Sequence, residues 1–93
     1  KKYYRIPLDE ISLISSMGDF AKVHTTTKTY ITSQTLKQLL QILPNNQFLR
    51  IHKSYIAAIH SIEYLEGNQV KIGSDKIPVG YSYREAVDSI FRR

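Results

Sequence analysis

The chain has 93 residues, a formal net charge of +5, no cysteine, and ten aromatic residues, seven Tyr and three Phe. That length holds one domain, residues 1–93, with its own core and little room for a deep cleft, and the apolar content is that of a folded domain rather than a disordered tail. The lack of cysteine excludes disulfides, thiolate metal sites and thiol catalysis. No run approaches the ~18 apolar residues of a membrane span and no signal peptide is visible, so a cytoplasmic domain without membrane contact is expected. The first residues, Lys1-Lys2-Tyr3, lack an initiator Met, as expected of a piece of a longer protein.

The charge is spread out. Residues 1–46 hold six Lys/Arg against three Asp/Glu, and residues 47–93 hold seven against five. There is no basic arm, so any basic surface must be assembled by folding. Excess positive charge favours polyanionic partners such as nucleic acid. A mildly basic soluble domain accounts for the charge equally well.

In chain order, residues 3–8 (YYRIPL) read as an extended lead-in that Pro7 keeps at an edge. Asp9 to Ser16 follows as a strand with Ile11 and Leu13 on one face, then a turn at Met17-Gly18-Asp19. Phe20 to Thr27 returns as a strand, with Ala21 and Val23 on one side and Phe20, Lys22 and His24 on the other. Thr29 to Thr32 is the next strand, rich in the β-branched residues that suit a pleated surface. Ser33 to Leu43 is a helix, with Leu36, Leu39, Leu40 and Leu43 forming one apolar stripe, Ser33 as N-cap and Pro44 as terminator. A stripe of this kind is read as core packing, which is what stabilises most amphipathic helices. Gln47 to His52 and Ser54 to His60 read as strands. Ile62 to Leu65 and Gln69 to Ile72 form a hairpin around Glu66-Gly67-Asn68, and Lys76 to Val79 is an edge strand marked by Pro78. Ser82 and Glu85 have capping-box spacing and would open a last helix, Tyr83 to Phe91, with Val87, Ile90 and Phe91 inward. The sum is a mainly β domain with one helix in the middle and a short one at the end.

The sequence lacks the patterns of catalysis. His24, His52 and His60 match no usual ligand spacing, and no Cys or carboxylate pair completes a metal site. No nucleophile elbow, P-loop or dinucleotide fingerprint occurs. Asp9 and Glu10 are adjacent, so in a strand they would point to opposite faces. No enzymatic activity and no cofactor are expected.

The stretch Phe48 to Ile59, FLRIHKSYIAAI, carries the most chemistry. Strand alternation buries Leu49 and Ile51 and projects Arg50, His52 and Ser54 together. Lys53 has the buried parity and is better placed at a bend, where its long stem can reach outward. A point charge, a guanidinium fork and a hydroxyl are the groups used on phosphates and guanine edges. A solvated strand face beside a turn would have the same sequence, and at this point both readings stand.

FLRIHKSYIAAIHSI resembles the central signature of LytTR domains: an aromatic, an Arg, an Ile-His pair and a Ser-aromatic pair ahead of an apolar strand and a later Ile. The rest follows in order. DEISLISSMGDFAKVHT is similar to the family's opening strand, turn and strand, SQTLKQLLQILPNNQFLRIH to its helix and following loop, and GNQVKIGSDKIPVGYSYREAV to its closing hairpin, strand and helix. The resemblance covers about residues 8–91.

It implies an elongated arrangement of short, mostly antiparallel strands with a central helix and a short C-terminal helix. It implies the C-terminal output domain of a bacterial two-component response regulator, which binds sequence-specific double-stranded DNA by inter-strand loops in the major groove. The implied partners are paired direct-repeat-like sites, a second copy on DNA, and a sensor kinase acting through a receiver domain outside this chain. By position, three regions would face DNA: the turn Ser15 to Phe20 running into Lys22, with Ser16, Asp19 and Phe20; the segment Arg50, His52, Lys53 and Ser54, with Lys53 on base edges and Ser54 on phosphate; and Gly80, Tyr81 and Ser82. In the last region many family members carry a Ser-Arg-type sequence after Pro-Val, whereas this chain has Gly80-Tyr81-Ser82, leaving Tyr81 and a capped helix start at Ser82 to make the contact. The alternatives are a protein-interaction module using an open sheet edge and single-strand binding by exposed Tyr, for which no RNP-like aromatic pattern is present.

Overall fold

In the computed structural model, which describes residues 2–92, the chain forms two antiparallel sheets and two short helices. Strands β1 (Ile11–Met17), β2 (Phe20–Thr25), β3 (Thr29–Thr32), β4 (Phe48–His52) and β5 (Tyr55–Ala58) build a five-stranded sheet in the order β3-β2-β1-β5-β4. Strands β6 (Ile62–Glu66), β7 (Gln69–Ile72) and β8 (Asp75–Pro78) form a three-stranded sheet. Helix α1 (Leu36–Ile42) lies between β3 and β4, and α2 (Arg84–Ile90) closes the described chain. The molecule is elongated, 42 × 23 × 22 Å.

The five-stranded sheet is covered on both faces, which explains why its central strands are apolar at adjacent positions. On one face Ile14, Ala21, Val23, Phe48, Ile56 and Ala58 pack with Leu36 and Leu39 of α1. On the other, Leu13, Ile51 and Ala57 pack with Val70, Ile72 and Ile77 of the small sheet and Val87 of α2. Each large side chain so buried contributes ~1.5–3 kcal/mol. Leu40 and Leu43 complete the α1 stripe as half-buried neighbours of the first cluster, as the helical periodicity predicts.

Ile11 and Leu13 do not share a face. The β1–β2 register pairs Ile11 with Thr25 but Leu13 with His24, so a bulge around Ser12 breaks the period of two. Ile11 joins the first cluster and Leu13 the second. The residues before it, Leu8–Glu10, form a 3-10 turn after the extended Pro7, so the strand begins at Ile11 rather than Asp9.

The helix boundaries also differ from the sequence expectation. Thr35, not Ser33, caps α1: its hydroxyl accepts from the Gln38 N–H at 3.2 Å, and the Gln38 side-chain oxygen accepts from the Thr35 N–H at 2.9 Å. Ser82 caps nothing. A 3-10 turn over Tyr81–Tyr83, closed by the Tyr83 N–H on the Gly80 carbonyl at 2.9 Å, runs directly into α2 and takes Ser82 inside the coil. α2 buries Val87 but ends before Phe91, which is 47% exposed. Arg84 anchors the helix start, donating to Asp88 at 3.0 Å and to Asn68 in the β6–β7 turn at 3.0 Å.

Candidate nucleic-acid interface

The β4–β5 connection is a two-residue turn, Lys53-Ser54, built on an irregular strand end. The register pairs Arg50 with Ile56 and His52 with Tyr55, leaving Ile51 as the extra residue of a bulge. Ile56 and Tyr55 point to opposite faces, into the first and second clusters. Arg50 and His52 are therefore separated, contrary to strict alternation.

Both side chains turn back onto their own loop. Arg50 Nε donates to the His52 carbonyl at 3.2 Å, and Nη2 donates to the Lys53 carbonyl at 2.5 Å. Nδ1 of His52 accepts from the Ser54 N–H at 3.0 Å, which places the proton of the neutral ring on Nε2. The His52 ring also lies 5.4 Å from that of Tyr55. Arg50 and His52 thus fix the loop, and Lys53 is left exposed at its apex with no ion pair among the described residues.

Two main-chain hydrogen bonds bring the other predicted regions to this loop. The Ser16 N–H donates to the Ser54 carbonyl at 2.9 Å, just beyond the Ser15–Tyr55 pair of β1 and β5. That contact sets the β1–β2 hairpin tip beside Lys53. The tip is tight because Gly18 adopts φ +63°, a left-handed conformation that glycine takes without a Cβ clash. Asp19 and Ser16 are exposed there, and Met17 and Phe20 face each other across the turn. On the other side, β4 is an edge strand, and its outward Ile51 carbonyl accepts from the Gly80 N–H at 2.8 Å. A Cβ on Gly80 would sit 3.0 Å from Tyr83 Cδ2 and 3.6 Å from His52 Cα, so glycine permits this close approach. Tyr81 next to it is 99% exposed, Ser82 is exposed in the 3-10 turn, and the Tyr83 ring lies 6.0 Å from the Arg50 guanidinium.

Lys22 stands one register step in from the tip, opposite Ser15, and is half-buried. It shares its face with His24, whose ring is held by the Ser15 hydroxyl at 3.1 Å and the Thr29 hydroxyl at 3.4 Å. Burial, with a smaller contribution from the Lys22 charge, pushes the His24 pKa below its ordinary 6.5, and Asp75 partly opposes the shift. Among the described residues no three His, Cys, Asp or Glu side chains form a group that could hold a metal ion, and no helix is long and apolar enough to cross a membrane.

The turn Ser15 to Phe20 expected to face DNA contains Met17, which the sequence reading did not single out. In the structure Met17 ends β1 and lies exposed at the tip. Its apolar character at a strand end opposite Phe20 was the available signal.

The class is thus a small, elongated antiparallel β domain that gathers three connections around one exposed lysine. Its sequence matches the LytTr DNA-binding domain family across residues 1–92, and the chain belongs to that family. Two similar proteins, each named sensory transduction protein LytT, come from Bacillus anthracis and Bacillus cereus. Each is 27% identical over 93 residues, a match that covers 94% of this chain and 38% of the relative. The chain therefore spans a little over a third of the length of these relatives. A solved LytTr DNA-binding domain from Bacillus cereus superposes with a TM-score of 0.84 at 17% identity, covering 92% of this chain and 84% of that one, and shares the fold.

Proposed function

We propose that the chain is a sequence-specific reader of duplex DNA and the output domain of a longer cytoplasmic regulator of transcription, driven through a two-component phosphorelay. The observation that carries this reading is Lys53: a free ammonium at the apex of a loop whose main chain is fixed by Arg50, His52, Ser16 and Ser54. A cation on a fixed loop, without an ion pair among the described residues and set between two further exposed connections, suits a groove in which phosphate contacts position and base contacts specify. Lys53 would reach guanine O6/N7 or a phosphate, Asp19 an amino group on cytosine or adenine, and Tyr81 a base or phosphate acceptor. Ser54, Ser82, Gly80 and Lys22 flank these groups and would serve the backbone, while Arg50 and His52 act by holding the loop. The length of the relatives named LytT supports further chain outside this domain, and we propose that two copies occupy paired repeats.

The test is selection from a random duplex library followed by titration at several salt concentrations. An enriched motif with affinity falling steeply as salt rises supports the reading, because neutralised phosphates release counterions. Equal, salt-insensitive binding to selected and random duplexes overturns it. One observation favours a second use, docking of protein at an open edge: β3 ends the five-stranded sheet with Ile31 62% exposed. That reading alone predicts no enriched duplex.

A further inference from the structure

The hairpin tip beside Lys53 is apolar where a solvated turn has no need to be. Met17 and Phe20 are direct partners across Gly18-Asp19 and are 39% and 48% exposed. Neither belongs to a core cluster or to the hydrophobic residues packed against one. Single exposed apolar residues are ordinary, but a cross-strand pair is a small patch with a use to be found. Its neighbours narrow that use. Asp19 lies between the two in the chain and is exposed, so the tip is ill-suited to rest on phosphates, where a carboxylate repels. The Ser16–Ser54 hydrogen bond keeps the tip adjacent to Lys53, so a duplex engaged by Lys53 meets the tip as well.

Resting on the DNA-binding reading above, we propose that the Met17–Phe20 pair reads thymine C5-methyl groups in the major groove, with Asp19 accepting from the adenine amino group of an A·T pair. The major-groove edge of A·T presents the adenine N6 amino donor and the thymine methyl on one base pair. An exposed carboxylate beside an apolar pair complements that edge. G·C also offers the carboxylate an amino donor, on cytosine N4, but has no methyl for the apolar pair, so the preference for A·T rests on the methyl. The hairpin therefore prefers A·T pairs, while Lys53 favours the acceptors of guanine. The two adjacent contacts would read different letters of one site.

Deoxyuridine tests this directly, because replacing thymine by uracil removes only the methyl and keeps Watson–Crick pairing. The experiment titrates the protein against the selected duplex and against versions with each thymine replaced singly. One or two neighbouring positions are expected to lose about fourfold in affinity per methyl removed, the scale of one buried methyl-sized group. A Met17→Ser/Phe20→Ser variant, at exposed positions outside the core, is expected to bind the thymine duplex as weakly as the unaltered protein binds the uracil one, and to be indifferent to the replacement. Circular dichroism of the variant confirms that the sheet is retained. Binding by the unaltered protein that ignores every uracil overturns the proposal while leaving the DNA reading intact. A folded variant with undiminished, still uracil-sensitive binding does the same, because another group then reads the methyl. Failure to bind any duplex overturns the DNA reading and this inference with it.

Discussion

The Nη2 of Arg50 donates to the main-chain carbonyl of Lys53 at 2.5 Å, while Nε donates to the carbonyl of His52 at 3.2 Å. One planar guanidinium thus spans two successive carbonyls of the turn that presents Lys53, a geometry that an ammonium cannot reproduce. On the DNA-binding reading, Arg50 is accordingly expected to position Lys53 rather than to touch DNA. Arg50→Ala is expected to weaken binding of the selected duplex about tenfold, the effect of losing ~1.4 kcal/mol of loop organisation, and Arg50→Lys is not expected to rescue it. The slope of log affinity against log salt should stay that of the unaltered protein. A slope reduced by about one unit in Arg50→Ala would instead show that the guanidinium leaves its carbonyls for a phosphate.

Lys53 carries the opposite expectation. Its side chain is exposed and forms no ion pair among the described residues, so Lys53→Ala should leave thermal stability within about 0.5 kcal/mol. Discrimination between the selected duplex and one with the contacted guanine replaced should fall by ~1–3 kcal/mol. Competition titrations with both duplexes measure this. A uniform loss on every sequence, with a shallower salt slope, would place Lys53 on phosphate instead.

His24 gives the domain a pH dependence whose sign follows from its surroundings. Burial, then Lys22, depresses its folded pKa below 6.5, with Asp75 in partial opposition. Between the depressed value and 6.5 the unfolded chain binds more protons than the native one, so the contribution is fully present above pH 6.5 and lost as pH falls through the folded pKa. Urea midpoints are expected to drop from pH 7.5 to pH 5, and His24→Gln, which keeps hydrogen-bonding groups near Ser15 and Thr29, should shrink that drop. NMR titration supplies the companion result: Lys22→Met should move the His24 pKa up toward 6.5. An unmoved value would remove Lys22 from the account.

Much of this architecture is legible in local patterns. The alternation of Ala21 and Val23 against Lys22 and His24, the leucine stripe of α1 and the turn at Gly67-Asn68 each follow from a period or a turn residue. The bulges at Ser12 and Ile51 do not, because neither contains the glycine that often marks one. Each shifts the parity of what lies beyond it, which is why Ile11 and Leu13, and likewise Arg50 and His52, part company. The true α1 cap was visible as Thr35-x-x-Gln38, whereas Ser82-x-x-Glu85 has equal spacing but follows Gly80, whose carbonyl starts the helical coil early. The meeting of the three connections rests on the Ser16–Ser54 and Gly80–Ile51 hydrogen bonds, which span tens of residues and leave no local trace. The family resemblance named the same three regions, but only by an expected DNA-facing role.

Gly80 shows how one of those long-range contacts is maintained. Its φ of −70° is open to any residue, so the restriction is steric rather than conformational. The Cβ of an alanine would lie 3.0 Å from Tyr83 Cδ2, and either the ring or the 3-10 turn must shift by a few tenths of an ångström. Gly80→Ala is expected to cost ~1 kcal/mol of stability, at the mild end of overpacking. It should also reduce duplex affinity more than Tyr81→Ala does, because it moves the whole turn away from Ile51. A double-mutant cycle identifies the cause: with the ring removed in Tyr83→Ala, the added Gly80→Ala should cost almost nothing, a coupling of ~1 kcal/mol between residues in contact. Additive costs in the two backgrounds would overturn the Tyr83 ring as the cause, since the His52 main chain at 3.6 Å from the same Cβ is in ordinary contact.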